Sequence, residues 1–157
     1  MGSDTQSNVL QADLHPSKIS VHEIFDTIQV IPLETTDSCL LRAPVKIVVG
    51  NNRNYILDWK NFQVFVFDDR GHFLHTIGKK GQGPGEYREI YDAVIKEKEN
   101  TVYMLSPFGS LYVYSLDGKF IKEIKLPTRS NYQLIEELDS KYFVTITKPW
   151  KQWEIKL

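Results

Sequence analysis

The strongest constraint on this chain is that it matches itself. Asn54–Ile77 laid on Thr101–Ile124 aligns without a gap at a shift of 47 residues. Val66 falls on Val113, Gly71 on Gly118, Phe73 on Phe120 and Ile77 on Ile124. Apolar classes agree at Leu57/Met104, Val64/Leu111, Phe65/Tyr112, Phe67/Tyr114 and Leu74/Ile121. A period of about 40–50 residues, with several short β-forming runs in each copy, is the mark of a repeat architecture such as a β-propeller.

Each copy divides into four runs of β-formers separated by turn residues. The first reads Val45–Val49, Tyr55–Leu57, Gln63–Phe67 and Phe73–Ile77; the second reads Ala93–Ile95, Val102–Leu105, Leu111–Tyr114 and Phe120–Ile124. Asp117-Gly118 between two such runs is a strong hairpin signal, because glycine takes positive φ without steric cost. Val64-Phe65-Val66-Phe67 is apolar on both faces, as a strand needs when its sheet lies between two others. Glu89–Lys98 has helical propensity, but Tyr91, Val94 and Ile95 fit an inner strand in step with the repeat.

A third unit follows Pro127: Tyr132–Glu136, a turn at Leu138–Lys141, Tyr142–Thr147, a loop at Lys148-Pro149-Trp150, and Trp153–Leu157. It stops one strand short. Thr27–Leu33, apolar-alternating, has no sheet of its own and is expected to complete that last unit, as propellers commonly do to remove open edges. The expected fold is all-β, with four-stranded antiparallel β-propeller blades at about 43–78, 91–127 and 131–157 plus strand 27–33. A polar segment at 1–18, disordered or appended to the natural chain, precedes a domain at 19–157. Three blades cover half of a six-bladed ring, at about 60° each. One expectation is therefore a homodimer that closes the ring, each N-terminal strand completing its partner's last blade. Its rival is a truncated piece of a longer propeller without independent function.

Composition excludes some partners. The net charge of −1 and the scattered basic residues, with Lys79-Lys80 the only adjacent pair of note, give no stripe for nucleic acid. No run approaches the ~20 apolar residues of a membrane span, and no apolar stretch near the N-terminus reads as a signal peptide. The single cysteine, Cys39, allows no intramolecular disulfide and no cysteine-based zinc site; it reads as a small buried residue.

Tyr55-Ile56-Leu57-Asp58, Gln63-Val64-Phe65-Val66-Phe67-Asp68, Gly71-His72-Phe73-Leu74, Gly78 and Gly81-Gln82-Gly83-Pro84-Gly85-Glu86-Tyr87 follow one another in an order that resembles the NHL-repeat-like six-bladed β-propeller proteins of bacteria. Within these the chain is most similar to lipoproteins predicted in gut anaerobes, and Val30-Ile31-Pro32-Leu33-Glu34-Thr35 is similar to their first strand. The resemblance covers about Ile24–Pro127 well. It implies export and a periplasmic or outer-surface location. The sequence departs from the family in stopping near three blades and in lacking a lipid-bearing cysteine at its N-terminus. The family is mostly of unknown function.

Gly78–Gly85 is not a phosphate loop: it has neither a Gly-Lys-Ser/Thr ending nor the G-x-G-x-x-G spacing. It reads as the crossing from one blade to the next. In a propeller this crossing and the loop after each second strand share one face, so Asp58, Trp59 and Lys60 are expected beside Gln82, Glu86, Tyr87 and Arg88. Loops on a rigid scaffold commonly carry binding. Trp59 would stack on a sugar or peptide and Arg88 would hold a carboxylate. The structural alternative packs Trp59 on the next blade and pairs Arg88 with Glu86 or Glu89. His72 and His75 are placed on opposite faces of a strand and cannot share a metal; His15 and His22 lie in the N-terminal segment. No nucleophile signature or cofactor motif is present. Trp150 and Trp153 read as core of the third blade or as dimer contact.

The functional expectation is a non-enzymatic module that binds a small molecule, glycan or peptide. The alternative is a propeller-type lyase or hydrolase with a central-channel site. Inner-strand runs Val45–Val49, Ala93–Ile95 and Tyr132–Glu136 are largely aliphatic, which favours binding over catalysis.

Overall fold

The computed structural model describes residues 20, 25–50, 52–126, 132–138, 142–147 and 154–155. The chain divides into two units, residues 1–30 and 31–157. In the first, Ser20 and residues 25–30 carry neither helix nor strand. The expected segment 1–18, and with it His15, lies outside the described residues, as do His22, Trp150 and Trp153.

The second unit is built from three antiparallel sheets in which neighbouring strands are consecutive in sequence. The first sheet has the order β1 (Pro44–Val49), β2 (Arg53–Asp58), β3 (Gln63–Asp68), β4 (Phe73–Ile77). The second has β5 (Asp92–Lys96), β6 (Thr101–Ser106), β7 (Ser110–Ser115), β8 (Phe120–Lys125). The third has β9 (Tyr132–Leu138), β10 (Tyr142–Thr147) and a short β11 (Glu154–Ile155). Helix among the described residues is limited to one 3₁₀ turn, Glu97–Glu99, between β5 and β6. Residues 27–33 pair with no sheet of this chain among the described residues. Within the second unit the N–H of Glu34 donates to the carbonyl of Gly71 (2.8 Å), which sets Glu34 against the β3–β4 turn.

The repeat is present, but its register is not gapless. Strand pairing makes Arg53 opposite Asp68 equivalent to Thr101 opposite Ser115. The β2/β6 halves are thus offset by 48 residues and the β3/β7 halves by 47. Tyr55 therefore corresponds to Tyr103, Leu57 to Leu105 and Asp58 to Ser106. The missing residue lies in the loop after the second strand, which holds residues 59–62 in one sheet and 107–109 in the other. Backbone conformation agrees: Asn52 and Asn100 both have positive φ (58° and 53°) before their strands, and Phe62 and Gly109 (51° and 84°) share the last loop position.

The sheets pack face on face in sequence order. Tyr55, Leu57, Val64, Val66 and Ile77 of the first sheet meet Ala93, Val102, Met104 and Tyr114 of the second in one buried cluster, with Tyr87 and Ile90 of the crossing loop. On its other face the second sheet buries Leu105 and Leu111 against Tyr132 and Ile135 of the third. β2 and β3 are buried on both faces because alternate side chains enter different interfaces. The remaining face of the first sheet, Ile56, Phe65 and Phe67, is covered at its outer strands by Cys39, Leu33 and Leu41. Toward the inner strand it is open: Ile47, opposite Ile56, is 62 % exposed and Val49 is 76 % exposed. Their equivalents in the second sheet, Ala93 and Ile95, are packed against the first sheet.

The inner strands are not simply aliphatic. Asp92, at the start of β5, is buried, and its carboxylate accepts from Lys46 Nζ of β1 (2.9 Å) and from the N–H of Ile135 of β9 (2.9 Å). One side chain thus joins the inner strands of all three sheets. It was missed because residue 92 looks like a turn residue until its opposition to Leu105 puts it in the strand. Truncating a buried acceptor leaves its donors unsatisfied at about 1–3 kcal/mol each, with an ion pair lost as well. Asp92→Ala is expected to lower the unfolding free energy by about 2–4 kcal/mol in urea denaturation. Asp92→Asn, which keeps an acceptor for Ile135, should cost less.

Candidate functional site

β2, β6 and β8 end, and β3, β5 and β7 begin, at one edge of the sheets, so the loops 59–62, 78–91 and 107–109 gather there. The crossing loop 78–91 is folded rather than slack. Lys80 and Tyr87 form a parallel bridge, Gly81 N–H donates to the Tyr87 carbonyl (2.8 Å), and Glu86 N–H donates to that of Gly83 (3.0 Å). Tyr87 is buried and sets its ring against Tyr112 and Tyr114, at centroid distances of 6.0 and 6.3 Å. The Tyr114 hydroxyl donates to the Gly85 carbonyl (2.6 Å), and Gly85 has φ +73° with the Phe120 ring 2.6 Å from where a Cβ would stand. Only glycine satisfies both conditions. Burial pushes the hydroxyl pKa values of Tyr87 and Tyr114 far up, so both stay protonated.

Between this loop and the outer strands of the second sheet lies a cavity of about 490 Å³. Its walls are residues 81–86, Arg88, Ser106, Phe108, Ser110, Tyr112, Glu123 and Lys125. Its carboxylates are engaged. Glu86 accepts from Gly83 N–H (2.9 Å) and pairs with Lys79 (2.9 Å), and Glu123 pairs with Lys125, whose ammonium also donates to Ser110 Oγ (3.2 Å). The Lys79 hydrogen bond holds Glu86 below the usual glutamate range, and Lys125 does the same for Glu123. Arg88 is exposed and makes no ion pair among the described residues. Phe108, 63 % exposed, stands at the rim.

The expected site residues part company here. Gln82, Glu86 and Arg88 line the cavity; Asp58, Trp59, Lys60 and Tyr87 do not. Asp58 is fully buried and its carboxylate accepts from the N–H groups of Arg42 (2.5 Å), Ala43 (2.7 Å) and Asn61 (2.8 Å). It fixes the approach to β1 and the loop after β2. Ser106, its equivalent, accepts from Phe108 N–H (3.3 Å) and does a smaller version of the same work. Trp59, half exposed, meets Tyr91 edge-on at 6.1 Å, while Tyr91 stacks on Phe62 and Lys80 Nζ sits 4.8 Å over the Phe62 ring. Lys60 is exposed. Sequence reasoning missed Phe108, Ser110, Tyr112, Glu123 and Lys125. The signal for Phe108 was its place in the loop equivalent to that of Trp59. His72 and His75 each have a partner, Asp68 Oδ2 four residues away (2.9 Å) and the Leu116 carbonyl of the second repeat (2.8 Å). Among the described residues no group of three His, Cys, Asp or Glu side chains is placed to hold a metal. No helix there is long and apolar enough to cross a membrane.

Fold and site define an all-β chain of serially packed antiparallel sheets with a polar cleft at one strand edge. Residues 5–153 match the family model "Domain of unknown function (DUF4934)", and the chain belongs to that family. No curated protein matches it. Eight chains of solved structures do. Among them is the crystal structure of a "Putative exported protein" from Bacteroides fragilis NCTC 9343, at a TM-score of 0.62 and 28% identity, over 81% of this chain and 41% of that one. The chain thus spans about two fifths of the length of that similar protein.

Glu86 gives the loop a pH dependence. Its carboxyl pKa is depressed in the folded chain, so its contribution is complete above the ordinary glutamate range and is lost as the pH falls through the depressed folded value. Amide exchange at Gly83, corrected for the intrinsic pH dependence, should show protection falling over that acidic interval. Glu86→Gln should show reduced protection at neutral pH and little of this acid-dependent loss.

Proposed function

We propose that this chain is a non-enzymatic binding module of β-propeller design, related to the NHL-repeat-like proteins and belonging to an exported or cell-envelope protein. The observation that carries the reading is the cleft. It lies where two strand-edge loops of a rigid stack converge, and its polar groups are held in place by Tyr87, Tyr114 and the Glu86–Lys79 pair. The carboxylates beside it are tied up in ion pairs and the tyrosines behind it stay protonated. Among the described residues of the cleft, that leaves donors for a ligand and no carboxylate or tyrosine poised as a base. Export rests on the likeness to the Bacteroides fragilis protein.

The propeller reading is supported by the one-after-another packing of equivalent faces and by the open Ile47/Val49 face, to which a further sheet of the same kind would dock. A second copy of the chain supplies such sheets and closes a six-bladed ring.

The binding role is tested by two-dimensional amide NMR of the whole chain against a panel of monosaccharides, amino acids and small dicarboxylates. Shifts are expected to cluster at Gln82, Arg88, Phe108 and Ser110. Saturable shifts at another surface, or none with any member of the panel, would count against the cleft as the binding site.

A further inference from the structure

We infer that the cleft takes an acidic carbohydrate, a uronate-bearing oligosaccharide, with Phe108 as the stacking platform and Arg88 as the carboxylate clamp; this rests on the binding-module reading above. Three features of the walls narrow the ligand class.

The first is what is missing. Among the described residues no Leu, Ile, Val, Met or Ala lines the cavity, so these walls form no aliphatic pocket for a peptide side chain or an apolar small molecule. The walls offer backbone, hydroxyl and amide groups, which suit a ligand covered in hydroxyls. Among them Ser106 and Ser110 are buried polar side chains that border the cavity. Their fixed positions supply orientation as well as hydrogen bonds.

The second is Phe108. An aromatic ring left 63 % exposed at the rim of an otherwise polar cavity is a surface for the C–H face of a sugar ring. The equivalent loop of the neighbouring repeat also exposes an aromatic, Trp59, at 49 %. Two aromatics presented by equivalent loops along one edge fit a ligand longer than one sugar.

The third is charge. Lys79 and Lys125 already have carboxylate partners, whereas Arg88 has no ion pair among the described residues. A guanidinium at the wall of a polar cavity binds a carboxylate in bidentate fashion. A sugar acid carries both the ring for Phe108 and the carboxylate for Arg88 in one unit.

Calorimetric titration of the full chain with trigalacturonate, galactotriose and a tripeptide with a free C-terminal carboxylate tests this. Trigalacturonate is expected to bind at least about tenfold more tightly than either other probe. Arg88→Gln is expected to weaken it by about tenfold or more, as loss of a charge-assisted bidentate contact does, and Phe108→Ala to weaken it as well. Both side chains are exposed, and unchanged thermal unfolding will confirm that the variants fold. Binding of galactotriose or the tripeptide in preference, still sensitive to Phe108→Ala, would overturn the uronate assignment and leave the binding module standing. Trigalacturonate binding that is indifferent to Arg88→Gln would overturn it too. No binding of any probe would overturn it, and the amide-shift panel then decides the fate of the cleft itself.

Discussion

Everything in this chain depends on one sheet burying its face against the next. A four-stranded meander of this size cannot be stable with both faces in water, because β2, β3, β6 and β7 carry apolar side chains on each. Packing the second sheet between the first and third removes Leu57, Val66, Met104 and Leu105 from solvent together. At about 25 cal/mol per Å² of apolar surface, interfaces of this kind outweigh any single polar contact. Asp92 adds what apolar packing cannot. By tying Lys46 and the Ile135 amide to one carboxylate, it fixes how the inner strands stand against one another. The polar pairing is directional where the apolar contacts are not.

The cleft is a by-product of that arrangement. Serial packing requires the chain to cross from the outermost strand of one sheet to the innermost of the next. The fourteen-residue crossing between β4 and β5 is anchored in the interface by Tyr87 and Ile90. Once anchored, its glycine-rich half stands off the outer strands of the second sheet, with Glu86 pinning it internally. The space left over is lined by strand-end serines and by the short loop bearing Phe108. Structural demands therefore consume Tyr87, Glu86 and Asp58, whereas Arg88, Gln82 and Phe108 line the cleft without such a role.

Much of the fold was legible because its signals are local. Alternation and turn residues place β4 and β10 at their observed bounds and β1–β3 and β5–β8 within one or two residues. The register was not legible to the same degree. A gapless alignment pairs Leu57 with Met104, yet the loop after β2 is one residue longer than its counterpart, and only hydrogen bonding reveals the true equivalence with Leu105. Since a one-residue slip exchanges the two faces of a strand, the alignment also hid which side chains meet. Half of the site was visible in Gln82, Glu86 and Arg88. The rest was not, because Ser110, Tyr112, Glu123 and Lys125 read as ordinary strand positions until the crossing loop is folded over them. Asp58 was misread for a related reason: a carboxylate beside a tryptophan resembles a binding pair, while its real partners are three backbone amides.

Serial packing leaves one debt in this chain. The face of the first sheet that carries Ile47 and Val49 is equivalent to one that the second sheet packs against its neighbour through Ala93 and Ile95, yet here it faces solvent. Monomers seldom leave such a patch uncovered. The most direct test is the mass of the chain in solution by size-exclusion chromatography with light scattering. The account predicts an assembly near twice 18.2 kDa, reduced to a single chain by Ile47→Glu. A folded wild-type chain that stays at 18.2 kDa over the accessible concentration range would contradict it.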